Sequence, residues 1–181
     1  LIVVVILLLW RFLPETLKEP DRGALRPRRL LDGYLTLLRD GPFMTYSLIM
    51  ALGLGGLFAI LTAFPFLFIE GMAVPTEQYG YYYAAIVLAF FLGSLAVNRA
   101  AGHIASDPLL AAGLVLCALG GLGFTLLLYA SMATPVSITA TQCFFGFGLG
   151  LVFATAPVRA FDVCRAGHGH AAAMLGALPM A

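Results

Sequence analysis

Charge is what this sequence has least of. Asp, Glu, Lys and Arg make up 10% of its 181 residues, against about 25% in soluble domains. Apolar residues fill the gap at 61%, and the mean hydropathy is +0.98. A globule of this size has too little interior to hide so much apolar surface, so a soluble domain is excluded and the solvent is lipid. A net charge of +1 offers no basic face to nucleic acid, which is not expected as a partner. Cysteine is scarce as well. Cys117, Cys143 and Cys164 are odd in number and widely spaced, which suits neither a disulfide framework nor a zinc knuckle. No nucleophile elbow, phosphate loop or HExxH motif is present, so we expect no enzyme and no catalytic residue. Cys164, His168 and His170 share a glycine-rich stretch, but their spacing fits no zinc signature and no metal site is expected.

What the chain does have is long uncharged runs. A spanning helix needs about 20 mostly apolar residues. Phe43 to Ile69 is one such run and Gln78 to Asn98 is another. Pro108 to Val158 is far too long for one crossing, and Ala130-Ser131-Met132-Ala133-Thr134-Pro135 divides it in two. Strands of a membrane barrel would alternate apolar and polar residues, whereas Leu109 to Ala130 is apolar on every side. The expected class is therefore all-α, a polytopic transmembrane bundle in a lipid bilayer.

The expected organisation has residues 1-12 as the end of one transmembrane helix and 13-42 as a cytoplasmic linker. A helical bundle fills 43-181, with spans at about 43-69, 78-99, 108-130 and 135-158 and an incomplete one at 169-181. Both ends read as cut. The first run lacks the basic leader and cleavage site of a signal peptide, and the last is too short to cross. Within the linker, Leu30 to Arg39 suits a short amphipathic helix on the membrane surface. A long linker of this kind joins two bundles, which makes a missing N-terminal half of the same polypeptide the expected partner.

Basic residues set the orientation. Arg11, Lys18, Arg22, Arg26, Arg28, Arg29 and Arg39 precede the second span, Arg99 follows the third, and Arg159 and Arg165 follow the fifth. All ten fall on one side, which the positive-inside rule makes the cytoplasm. Tyr79, Tyr81, Tyr82 and Tyr83 gather at the opposite boundary, where amphipathic rings settle.

No acid or base lies centrally in a complete span, so a proton-coupling residue is expected outside this stretch. The polar residues inside are neutral. Ser47, Ala51, Gly55, Phe58, Thr62 and Phe66 form one helical stripe, and Ile138, Gln142, Phe145 and Leu149 form another. Surfaces rich in aromatics with few hydrogen-bonding groups suit lipophilic molecules better than sugars. Ser47, Phe58, Thr62, Phe66, Gln142 and Phe145 are accordingly the substrate-cavity candidates, with helix packing as the plainer role for each. Ala51 with Gly55, Gly146 with Gly150, Gly169 with Ala173, and the cluster Gly120, Gly121 and Gly123 have the small-residue spacing of close helix contacts. Gly146-Phe147-Gly148-Leu149-Gly150, with Pro157 beyond, also suits a helix that bends or slides during gating.

Several motifs carry a family resemblance. Leu13-Pro14-Glu15-Thr16-Leu17 after a span resembles the exit from the sixth helix of major facilitator transporters. Gly33-Tyr34 with Leu37-Leu38-Arg39, Pro65-Phe66 before Glu70, Gln78-Tyr79-Gly80, Gly93 through Asn98-Arg99, and Ala171 with Leu175-Gly176 are similar in order to the Bcr/CflA drug-resistance branch. Pro179 stands where that pattern has glutamine, and Gly102-His103 replaces its basic cluster. The resemblance implies a twelve-helix fold of two halves, this chain being the C-terminal one. It further implies export of drug-like molecules across a bacterial inner membrane, with no cofactor beyond the proton gradient as driving force. Gly93, Asn98, Arg99, Gly146, Gly150 and Pro157 are the gating and inner-turn candidates. The alternatives are a carrier for a non-drug small solute, a half-transporter that inserts and moves nothing, and a scaffold that pairs with other membrane proteins.

Overall fold

The computed structural model describes residues 27–164 and 168–178. The expected first span, the linker up to residue 26, Arg165 and Pro179 lie outside them. The chain divides into two compact units, Leu1–Asp32 and Gly33–Ala181; the contacts below belong to the second.

The described residues form helices joined by short turns, with no strand among them. Helix α1 is Pro27–Arg39 and α2 is Gly41–Pro65, which runs on as a π-helical turn over Phe66–Gly71. Helix α3 is Thr76–Ala100, α4 is Ser106–Tyr129, α5 is Pro135–Val163 and α6 is His168–Ala177. Four of these are long and apolar enough to cross a membrane: Gly41–Gly71, Thr76–Ala100, Ser106–Tyr129 and Pro135–Val163.

Local chemistry explains the boundaries. Proline at the first turn, where its missing N–H is not needed, opens α1, α2 and α5. Asp40 caps α2 by accepting from the Phe43 N–H, and Thr134 with Ser137 forms a reciprocal capping box at the start of α5. Gly102, at φ +87°, makes the turn between α3 and α4 with no steric cost. Helix α1 takes in the stretch from Leu30 to Arg39 expected as a short helix within the linker and starts at Pro27, and α2 starts at Gly41. Helix α5 runs to Val163, past the 158 expected for the span; Pro157 within it removes one backbone donor, the one that would serve the Phe153 carbonyl.

The helices alternate up and down. At the charged end Leu37, Phe43, Ala160, Ala171, Met174 and Leu175 are buried together, joining α1, α2, α5 and α6. At the tyrosine end Phe64, Phe68, Val74, Ile86 and Ile138 form a second cluster, with Tyr79 and Tyr82 against it. Arg159 on α5 clasps Asp107 at the start of α4 through two bonds of 2.5 and 2.9 Å, and reaches Asp162 at 3.3 Å.

Helix α5 is the hub. It packs on α4 and α3 over most of its length and on α2 less extensively. Its most apolar stretch is 44% buried, against 11–17% for the other three. The outer helices instead expose large side chains such as Leu52, Leu122 and Leu126, as a lipid-facing surface requires.

Candidate functional site

Glycines decide how closely α5 meets α3 and α4. A Cβ on Gly93 would run into the Phe147 carbonyl, and one on Gly150 into the Phe90 carbonyl. On the other side, a Cβ on Gly148 would lie 2.6 Å from the Gly113 carbonyl oxygen, and one on Gly120 would lie 2.6 Å from the Phe145 nitrogen. Gly146 and Gly150 thus face α3 while Gly148 faces α4, and backbone packs on backbone along both seams. The helix is regular through all three glycines.

Toward α2 the residues are larger and the fit is looser. Three cavities open there, and Phe145 lines them all. One of about 260 Å³ lies between α2 and α4, walled by Gly56, Ile60, Phe64, Phe124, Gln142 and Phe145. A second of about 300 Å³ continues toward the charged end, past Gly53, Leu114 and Cys117. The third, about 150 Å³, lies between α2 and α3 beside Tyr83 and Phe90. The first two share Phe145, and their linings form an apolar groove on the flank of α5.

The candidate residues separate in this frame. Gln142 and Phe145 line the groove, and Gln142 is 3% exposed. Ser47 is buried but donates to the Phe43 carbonyl of its own helix at 2.9 Å. Phe58 and Thr62 on α2 and Phe66 at the start of its π-helical turn are exposed and line none of these three cavities. Thr62, like Ser47, donates to its own backbone, at the Phe58 carbonyl. Asn98 and Arg99 are exposed at the charged end, and Pro157 is half-buried within α5. Sequence reasoning missed Gly56, Ala59, Ile60, Ala63 and Phe64, which supply the α2 wall. The small-residue spacing of Gly56, Ala59 and Ala63 is the signal that points to it.

Cys164, His168 and His170 were weighed above as ligands. The His168 side chain lies outside what the structure describes, and among the described residues no three His, Cys, Asp or Glu side chains come together. The His170 ring packs edge-on to Tyr34, with centroids 5.4 Å apart, and lies against Gly33.

The family model of the Major Facilitator Superfamily matches residues 1–180. A bicyclomycin resistance protein homolog from Haemophilus influenzae is 24% identical over 175 residues, which is 96% of this chain and 44% of that protein. The chain therefore spans less than half the length of that relative.

Proposed function

The chain belongs to the Major Facilitator Superfamily, a family of transporters, and is a multi-pass membrane protein; from that premise we propose that it forms the C-terminal half of a secondary exporter of drug-like lipophilic molecules. The apolar groove on α5 carries this reading. Its walls are aromatic and aliphatic, the hydroxyls of Ser47, Thr62, Thr125 and Thr141 turn back to their own helices, and Gln142 is the lone polar side chain that lines the first cavity. Such a surface dissolves lipophiles and gives a sugar little to bond. The name of the Haemophilus relative, which refers to bicyclomycin resistance, supports the same direction.

On this reading the membrane is the bacterial inner membrane and the proton gradient drives export. The partner is an N-terminal half of the same polypeptide, against which this half rocks. Gly93, Gly146 and Gly150 hold α3 to α5 so that they move as one body. Asn98, Arg99 and Pro157 lie toward the charged end, where the halves part.

The test is to express the full-length protein in an efflux-deficient bacterium. It should raise the inhibitory concentrations of several unrelated lipophilic drugs, and drug added to energised everted vesicles should dissipate the pH gradient. Correctly inserted protein that does neither would overturn the proposal in favour of a carrier for another small solute, or of a half-transporter that moves nothing.

A further inference from the structure

Two segments that stand far apart in the sequence meet at the charged end. Helix α1 brings Gly33, Tyr34 and Leu37, which the helical repeat places on one face. Helix α6 brings His170 and Ala171, followed one turn later by Met174 and Leu175. The division between the two compact units falls just before Gly33, so all of these residues belong to one unit.

The two faces interlock. The His170 ring lies against Gly33, where an added Cβ would come within 2.7 Å of its Cδ2 atom. The Tyr34 ring meets the same imidazole edge-on, with centroids 5.4 Å apart. Next along this face, Leu37 is 0% exposed and is buried in one cluster with Ala171, Met174 and Leu175 of α6, Ala160 of α5 and Phe43 of α2. Ala160 and Ala171 are fully buried as well, and their small side chains leave space for the leucine.

Helix α1 is also held at its other end. Asp40 alone separates it from α2. The Asp40 N–H donates to the Leu37 carbonyl at 3.1 Å, its carbonyl accepts from the Met44 N–H at 2.9 Å, and its Oδ1 accepts from the Phe43 N–H at 3.5 Å. This corner fixes the direction in which α1 leaves α2, and α1 reaches from there to α6. Lifting it away would expose Leu37 together with the α6 residues buried beside it, and apolar side chains are costly to expose to water.

We infer that Gly33–Arg39 is a strap that binds α6 to α2 and stays bound throughout transport, so that the charged ends of α2, α5 and α6 move as one body. Its persistence through transport presupposes the exporter reading above; its attachment to α6 does not.

A nitroxide pair tests the attachment on the full-length protein with its native cysteines replaced. Leu35→Cys and Gly169→Cys carry the labels, because both positions are exposed and neither belongs to the interlocking faces. In proteoliposomes their dipolar spectrum should report one short, narrow separation, unchanged by a lipophilic drug or by a proton gradient. A broad separation, or one that shifts under either condition, overturns the inference. Leu37→Glu places a carboxylate in the apolar cluster and should widen the separation; if this variant inserts and keeps the narrow separation, the inference also falls.

A second test fastens the contact itself. In the same cysteine-free background, Tyr34→Cys and His170→Cys are joined by a short bis-methanethiosulfonate, and the linked peptides are identified by mass spectrometry. Linking should go to high yield and leave drug efflux at the rate of the unlinked protein. Linkage that stops efflux, with recovery on reduction, means that α1 leaves α6 in each cycle and overturns the inference, as does failure to link. Wild type that moves no drug removes the exporter proposal, and the label separation then decides the strap by itself.

Discussion

The two sides of α5 are built on opposite rules. Toward α3 and α4, Gly146, Gly148 and Gly150 bring backbone onto backbone, and no Cβ fits at Gly93, Gly120 or Gly148. Toward α2 the same helix presents Gln142, Phe145 and Leu149, and contact is made by the ends of side chains. At Gly53, for example, a Cβ would first meet the Cδ1 atom of Leu149. Lipid exerts no hydrophobic force between helices, so close backbone approach is what holds a pair together. The glycine seams are therefore the closest-packed contacts of α5 and the seam toward α2 is a looser one, while a further apolar cavity of about 380 Å³ lies among α3, α4 and α5 beside Leu92, Leu116 and Phe144. Side-chain size on alternate turns of one helix separates scaffold from site.

The largest expected effect breaks the rigid side. Gly93→Leu or Gly150→Leu forces α3 off α5 at a cost of about 3 kcal/mol or more, and the detergent-solubilised protein should lose its monodisperse peak in fluorescence-detected size exclusion. Gly55→Leu is the control, since a Cβ at Gly55 meets nothing within 4 Å. If Gly150→Leu stays monodisperse, the contrast between the two sides collapses.

Filling the open side should do the reverse. Gly121→Phe should leave thermal stability within about 0.5 kcal/mol, as at an unobstructed surface position, while abolishing lipophile binding to the full-length protein. Stability lost together with binding would show that the groove is a packed interface.

Arg159 binds Asp107 across α5 and α4 at the charged end. Asp107→Arg should lower the thermal midpoint, and adding Arg159→Asp should recover much of the loss; high salt should shrink the difference, because both groups are partly exposed. Equal midpoints for the single and double variants would assign no role to the pair.

Thr134→Ala removes the side-chain acceptor that caps α5 and should cost about 1 kcal/mol. The smallest effect is expected at Thr62→Val. That hydroxyl already bonds its own helix, so drug protection by the full-length protein should be unchanged; a marked loss would move the substrate surface to the exposed face of α2.

Much of the fold is legible in the sequence because lipid leaves so few choices. Uncharged runs of spanning length must be helices, and Pro135 after Ser131 to Thr134 marks a turn that the capping box then realises. The site is less legible. Gln142 and Phe145 stand out as a polar and an aromatic residue on one stripe, but Ser47 and Thr62 look the same in the sequence and differ only in where their hydroxyls go. Gly55, Gly56 and Gly121 are likewise indistinguishable by type. Gly56 and Gly121 line the groove, while Gly55 faces outward.

By itself, then, the sequence determined a membrane-embedded helical chain, the four long apolar helices among the described residues, and the segregation of basic residues from tyrosines, since each follows from the transfer cost of individual residues into lipid. Only the tertiary structure decided that α5 is the hub, that its alternate glycines serve two different neighbours, and that Gln142 rather than Ser47 or Thr62 lines a cavity. Those outcomes depend on the rotation of each helix about its own axis. Uniformly apolar helices do not encode that rotation in a polar face, and only the mutual fit of small and large side chains sets it.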